Sequence, residues 1–239
     1  MYLYEVIDLF NRLYGRRNRL CFSYGLHELL TLMNQSFSKL ARALRKDETP
    51  DIIRIRLANA VAWLCGVVNH FDELPFVNAF VSKYGQSKCP YCDETLCLCD
   101  PDYRLEPKRI LIQEIPPGDR GKILSGWCHH LDLIFGRRNR DEGMYRVIAH
   151  LFEEVSELLD LTGVTIIEPN NLDELEREFA LELADILAHL IAITNLQGID
   201  LTVAIQERYG DCCPTCQFRP CRCPRLMIVK DIAQRIGSE

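Results

Sequence analysis

Carboxylates and thiols at regular spacing are the chemically distinctive residues of this 239-residue chain. In "HLFEEVSELLDL", Glu154 and Glu157 stand three apart, and in "ELAD" Glu182 and Asp185 do the same. Residues three apart share a helix face, so each pair can aim two carboxylates at one point. Two antiparallel helices that each offer such a pair make an oxygen-lined cage. A cage of this kind suits Mg²⁺ or Mn²⁺, which take hard oxygen ligands and keep water positions open. At about 100° per residue, Glu178, Glu182, Asp185 and His189 fall on one stripe beside the apolar face. Acidic pairs on helices are more often solvated, and a wet helix face is the competing reading. His150 and His189 lie near the acids and read as hydrogen-bonded packing residues.

Eight of the twelve cysteines form two clusters, Cys89, Cys92, Cys97, Cys99 and Cys213, Cys216, Cys221, Cys223. Both have the spacing C-x2-C-x4-C-x-C and both begin Cys-Pro. Two cysteine pairs joined by a short turn can close a tetrahedral zinc site with thiolates at about 2.3 Å. Four protein ligands leave no open position, so each site is structural and pins a loop that lacks its own core. Iron–sulfur ligation is the alternative. Cys21, Cys65, Cys128 and Cys212 read as small buried residues. Clustered cysteines in a reducing compartment indicate metal rather than disulfides.

The elements that must position these groups come in two sets. "LYGRRNR" (13–19) matches "IFGRRNR" (134–140), and "RLANAVAWLCGVVN" (56–69) matches "ELADILAHLIAITN" (182–195). "SKYG" precedes the first cysteines and "ERYG" the second, in the same order of landmarks. The chain reads as a tandem: a first repeat over 1–103, a connector over 104–126 and a second repeat over 127–239. Apolar residues at Val147, Ile148, Leu151, Val155 and Leu158, then at Leu183, Ile186, Leu187, Leu190 and Ile193, have a helical period. Asn170 or Asn171 is expected to cap the second of these helices, Gly198 to end it and Asp200 to cap the next. In the first half, helices are expected over about 26–46 and 50–71. Period-two β-branched runs are scarce, "RILIQEI" in the connector being the exception. The expected fold is all-α, a bundle of two pseudo-symmetric halves with two small four-cysteine zinc hairpins.

The acids can be compared across the repeat. Glu154 corresponds to Met33, Glu157 to Ser36, Glu182 to Arg56 and Asp185 to Asn59. All four are missing together from the first half while the apolar frame persists. The fold therefore does not require them, and their loss as a set is what a shared ligand role predicts.

Over about residues 127–224 the chain resembles the MazG-like all-α nucleoside triphosphate pyrophosphohydrolases. The resemblance rests on "EEVSE" followed after a gap by "ELAD", on "GRRNRDEG" before them and on "ILAHLIAITNLQGIDLTVAIQERYG" after. It implies that Glu154, Glu157, Glu182 and Asp185 ligate Mg²⁺. Glu153 would stand behind them or orient the attacking water. The implied reaction cleaves a nucleoside triphosphate to nucleoside monophosphate and pyrophosphate. Clustered carboxylates cannot hold a triphosphate directly, so metal ions must intervene. Arg137, Arg138 and Arg140 are candidates for phosphate contacts, as are Lys83 and Arg208, and Asn195 for a substrate contact or a helix-end cap. The same "GRRNR" at Arg16, Arg17 and Arg19 persists in the half without acids, which fits either cross-contact or a structural role. Family members work as dimers or larger assemblies, so the two halves would form an internal pseudo-dimer with one active site, and further self-association remains open. The cysteine hairpin is a decoration outside the family's core motif.

Composition sets outer limits. Hydrophobic residues make up 48% and charged residues 26%, a globular balance. The net charge of −6 argues against a protein built mainly to hold nucleic acid. No apolar run is expected to cross a membrane, the N-terminus lacks signal-peptide character, and a cytoplasmic location follows. Two other readings compete with the enzyme. One is a nucleotide sensor or scaffold without turnover. The other is a zinc-dependent nucleic-acid-associated protein using the basic stretch "CQFRPCRCPRLMIVK".

Overall fold

Helical periodicity runs through nearly every segment that the computed structural model describes, which covers residues 1–21, 25–71, 73–99, 110–116, 121–167, 172–210 and 212–223. Among these residues there is no strand, and "RILIQEI" contributes none over 110–116; an isolated bridge joins Tyr2 and Ile123. Helix α1 (Leu3–Phe10) continues through a π-helical turn (Asn11–Gly15) into α2 (Arg16–Cys21). Helices α3 (Leu26–Arg45), α4 (Pro50–Val68) and α5 (Phe76–Tyr84) follow, then the first cysteine hairpin. The second half gives α6 (Leu124–Glu142), α7 (Met144–Ile167), α8 (Leu172–Leu196) and α9 (Leu201–Tyr209), then the second hairpin. The order is the same in both halves.

The boundaries have local causes. The Tyr2 N–H donates to Glu5 Oε2 at 2.8 Å and closes the start of α1. Pro50 opens α4, where its missing N–H costs nothing. Gly143, at φ +80°, separates α6 from α7, and Gly198, at φ +62°, turns the chain after α8. Asp200 caps α9, its Oδ1 accepting the Val203 N–H at 3.0 Å, as its position before "LTVAIQERYG" predicts. The cap expected at Asn170 or Asn171 lies outside the described residues, as do Cys21's side chain and residues 224–239, which include the second half of the basic stretch.

Packing joins the halves. Helix α3 packs on α4 and α7 on α8 as helical hairpins, and α4 meets α8 in the middle. The short fifth and ninth helices then cross over: α5 packs on α8, and α9 on α4. Matching hydrogen bonds fix both crossings. Tyr84 Oη donates to Asp185 Oδ1 at 2.6 Å, and Tyr209 Oη to Asn59 Oδ1 at 2.6 Å. The cysteine hairpins cross as well. The Cys97 N–H donates to the Ile134 carbonyl and the Cys221 N–H to the Leu13 carbonyl, both at 2.8 Å. Sequence alone groups α5 and the first hairpin with the first half; in space they belong to the surface of the second.

One continuous core runs through both halves and includes Phe10, Phe37, Phe80, Leu57, Leu64, Leu158, Leu183 and Leu190. Each such side chain contributes roughly 1.5–3 kcal/mol when fully buried. Met33, in the place of Glu154, is fully buried, and Ser36, in the place of Glu157, is buried too. The first half has thus turned its counterpart of the acidic face into core. Contrary to expectation, α8 is by length and composition apolar enough to cross a membrane, but 67% of its most apolar window is buried inside the protein. Its apolarity is that of a helix surrounded by α5, α6 and α7.

Candidate metal cage and adjoining cleft

Helices α7 and α8 pack side by side, so the two carboxylate pairs face each other. Ligand oxygens of Glu154, Glu157 and Glu182 all lie within 4.8 Å of one another. These three are half-buried. Burial raises Glu154 to about 7, helped by the charges of Asp185 and Glu157. Burial likewise raises Glu182 to about 8, with Asp185 and Glu154 adding repulsion. Glu182 Oε2 is buried without a hydrogen-bond partner. Such crowded, desolvated oxygens fit a small divalent cation, which would supply the missing positive charge.

Asp185, the fourth expected ligand, has other partners. It is buried, Lys83 Nζ forms a short ion pair with Oδ2, and Tyr84 bonds Oδ1. Burial works against the Lys83 charge, but Asp185, Tyr91 and Glu182 together more than offset it and keep the ammonium protonated. Burial pushes the Tyr84 hydroxyl far up, so it donates as a neutral group. Glu153 is exposed at the wall of the same cleft, its Oε2 2.8 Å from His150 Nδ1. His150 and His189 stack with ring centroids 6.0 Å apart. Burial lowers His189 to about 4, leaving it neutral, with Nε2 3.6 Å from Glu154 Oε1.

The acids line a cleft of about 230 Å³. The first half supplies Lys83, Tyr84, Tyr91 and Cys99 to its wall; α6 supplies Leu131, Phe135, Arg138, Asn139 and Glu142. Of the three arginines of "GRRNR", Arg138 lines the cleft. Its Nη1 lies 3.6 Å from Cys97 Sγ, and its Nε lies 3.4 Å from Glu142 Oε1. Arg137 and Arg140 are not among the lining residues. Exposed Arg137 faces Asp141 at 3.8 Å, and Arg140 bonds Asp132 Oδ1 at 2.9 Å across Gly136, where a Cβ would run into that oxygen. In the first half, Arg17 Nη1 stands 3.8 Å from Cys221 Sγ, so the retained second arginine serves a cysteine hairpin in both halves. Asn195 lines the cleft, but its Nδ2 donates to the Cys128 carbonyl at 2.8 Å. Asn69 does the same to Ile7 at 3.0 Å. Both asparagines therefore hold a helix, and in Asn195 the carbonyl end of the amide remains for a ligand.

Each cysteine cluster brings its four sulfurs within 4.8 Å of one another. Sγ–Sγ separations are 3.6 Å (Cys89–Cys97) and 3.8 Å (Cys89–Cys99), against 3.8 Å for both Cys213–Cys223 and Cys216–Cys221. A tetrahedron with bonds of about 2.3 Å has edges of about 3.8 Å, so the sulfurs already stand where zinc needs them. Both hairpins turn the same way: the Asp93 N–H bonds the Cys89 carbonyl at 2.9 Å and the Gln217 N–H bonds the Cys213 carbonyl at 2.8 Å. Of the other cysteines, Cys65 is buried as expected, while Cys128 and Cys212 are half-buried.

Tyr84, Tyr91, Glu142 and the hairpin itself are cleft residues that sequence reasoning passes over. The signal for Tyr84 was present in "SKYG" and "ERYG", whose tyrosines make equivalent bonds. Compared with family models, with curated proteins and with solved structures, the chain finds no match.

Proposed function

We propose that the protein is a Mg²⁺-dependent pyrophosphohydrolase of the MazG-like kind, with one active site per chain and a degenerate first repeat. It would cleave a nucleoside triphosphate to nucleoside monophosphate and pyrophosphate. The observation that carries this reading is the convergence of Glu154, Glu157 and Glu182 in the wall of a cleft also lined by Lys83 and Arg138. These acids would hold the cation, and Asp185 would complete the set. A carboxylate has about four lone-pair positions, so the bonds from Lys83 and Tyr84 do not exhaust it. When bound, Mg²⁺ would neutralise triphosphate oxygens and make water a better nucleophile. Lys83 and Arg138 would meet the remaining phosphate charge, and Tyr91, Phe135 and Leu131 offer surfaces for the nucleoside. Water adds to the α-phosphorus, the α–β anhydride bond breaks, and pyrophosphate leaves. Glu153, steadied by His150, would take the water's proton.

A nucleoside triphosphate panel with Mg²⁺ or Mn²⁺ tests this. Wild type is expected to release pyrophosphate from at least one nucleotide, while Glu154→Gln and Asp185→Asn keep their helicity and release none. No release above those variants across the panel would end the enzyme reading. A second reading, a nucleotide-binding module without turnover, draws on the ion pair that already engages Asp185. Binding without pyrophosphate release would favour it.

A further inference from the structure

The first cysteine hairpin is joined to the cleft of the second half from two sides. On one side, the Cys97 N–H donates the backbone bond to Ile134 that docks the hairpin on α6, and Arg138 reaches from α6 to the Cys97 sulfur. The same guanidinium lies over the Phe135 ring at 5.6 Å and beside Glu142, all within the cleft wall. On the other side, Tyr91 sits between the ligands Cys89 and Cys92. Its ring lies 5.5 Å from Lys83 Nζ, the cation that holds Asp185. Cys99 lines the cleft directly. The second hairpin makes the same docking bonds to the first half, at Leu13 and Arg17. There the acids are replaced by Met33, Ser36, Arg56 and Asn59.

We infer that zinc in the first hairpin is a positioning device for the nucleotide site, holding Tyr91 and Arg138 in the cleft as ligand-contacting residues, whereas zinc in the second hairpin serves the fold alone. The inference rests on the proposed function for the identity of the ligand. The physical reason is simple. A hairpin of this length has no core of its own, and although Cys89 and Cys97 pack on the main core, a metal shared by the four thiolates is what would fix its turns. Without the metal, Tyr91 loses the turn that carries it. Arg138 loses the thiolate that, with Glu142, fixes its guanidinium. The aromatic face is suited to a nucleobase, whose stacking does not depend on base identity. The guanidinium is suited to a phosphate oxygen.

The experiment compares Cys92→Ser in the first hairpin with its counterpart Cys216→Ser in the second, in the full chain. Cys92 is itself not a lining residue of the cleft. Zinc content is measured for each, helicity by circular dichroism, and affinity for a non-hydrolysable nucleoside triphosphate analogue with Mg²⁺ by calorimetry. Wild type is expected to hold about two zinc ions and each variant about one. Cys92→Ser should weaken analogue binding by roughly tenfold or more, and Cys216→Ser should leave it within about twofold. Tyr91→Ala keeps all the thiolates and should also weaken binding about tenfold. It guards against a Cys92→Ser chain that fails to fold. Equal binding by wild type, Cys92→Ser and Tyr91→Ala would overturn the inference, as would equal weakening by the two cysteine variants. If wild type binds the analogue but releases no pyrophosphate from hydrolysable nucleotides, the enzyme reading falls and the role of the hairpin stands. If wild type binds no nucleotide, both fall.

Discussion

Glu182 and Lys83 carry opposite burdens at the same site, and each supports a prediction. Glu154 and Glu182 titrate at about 7 and about 8, against 4.5 for a free side chain. These two carboxyls therefore bind more protons in the folded, Mg²⁺-free protein than in the unfolded chain between about pH 4.5 and 8, and their contribution to stability falls as pH rises through that window, while His189, lowered to about 4, opposes them below about pH 6.5. Thermal melts without Mg²⁺ should show a midpoint that drops from about pH 5 to about pH 8, with the drop reduced in Glu182→Gln and reversed by Mg²⁺. A flat profile would mean the acids are not forced together. Lys83 has the reverse role: Lys83→Met strips a buried carboxylate of its partner and should cost about 3–5 kcal/mol in denaturant unfolding. The double variant Lys83→Met with Asp185→Asn should recover most of that loss. Recovery of none would show that the lysine stabilises through packing rather than charge. The acids themselves were legible in the sequence, because i, i+3 spacing and the joint absence of all four from the first half are properties of the text. The Lys83–Asp185 pair was not, since it joins residues on helices of different halves and no local pattern encodes that meeting.

At the scale of elements, the crossing of α5 and α9 provides a matched pair of hydroxyl bonds with different consequences. Tyr209→Phe removes a bond to Asn59 in the half without acids. It should cost about 1 kcal/mol of stability and little activity. Tyr84→Phe removes a bond to the Asp185 carboxylate. A bond to a charged group is worth about 1.5–3 kcal/mol, so its cost should be larger, and it should also lower pyrophosphate release. Denaturation curves and initial rates on the two variants check this. Equal effects on activity would contradict the assignment of one working site. The positions of α3, α4, α7 and α8 followed from apolar periodicity, and the Asp200 cap of α9 from residue type. The partner of each short helix did not: "FVNAFVSKY" and "LTVAIQERY" are amphipathic, and amphipathicity says that a face is buried without saying against which half. The repeated "GRRNR" and the repeated asparagine carried information that only the packing explains. Arg17 and Arg138 face cysteine thiolates, and Asn69 and Asn195 tie helices together, so their retention in both halves reflects structure first.

For the whole molecule, crossed elements make the halves interdependent. A fragment of residues 104–239 carries the acids but lacks Lys83, Tyr84 and Tyr91, so it should not bind nucleotide alone, and adding residues 1–103 should restore binding if both pieces refold. Full nucleotide binding by the isolated fragment would mean that the first half is dispensable. Among the described residues the asymmetry of the acids leaves one carboxylate cage, and the proposed activity is hydrolysis of the α–β bond of a nucleoside triphosphate at this cage with Mg²⁺. The most direct measurement is pyrophosphate release by the zinc-loaded full chain, with Mg²⁺, across a nucleotide panel, beside Glu182→Gln with matched zinc content and helicity. The account predicts release by wild type and a loss of at least about a hundredfold in the variant, a barrier change of about 2.7 kcal/mol. Equal rates in both, or none in wild type with any nucleotide, would contradict it.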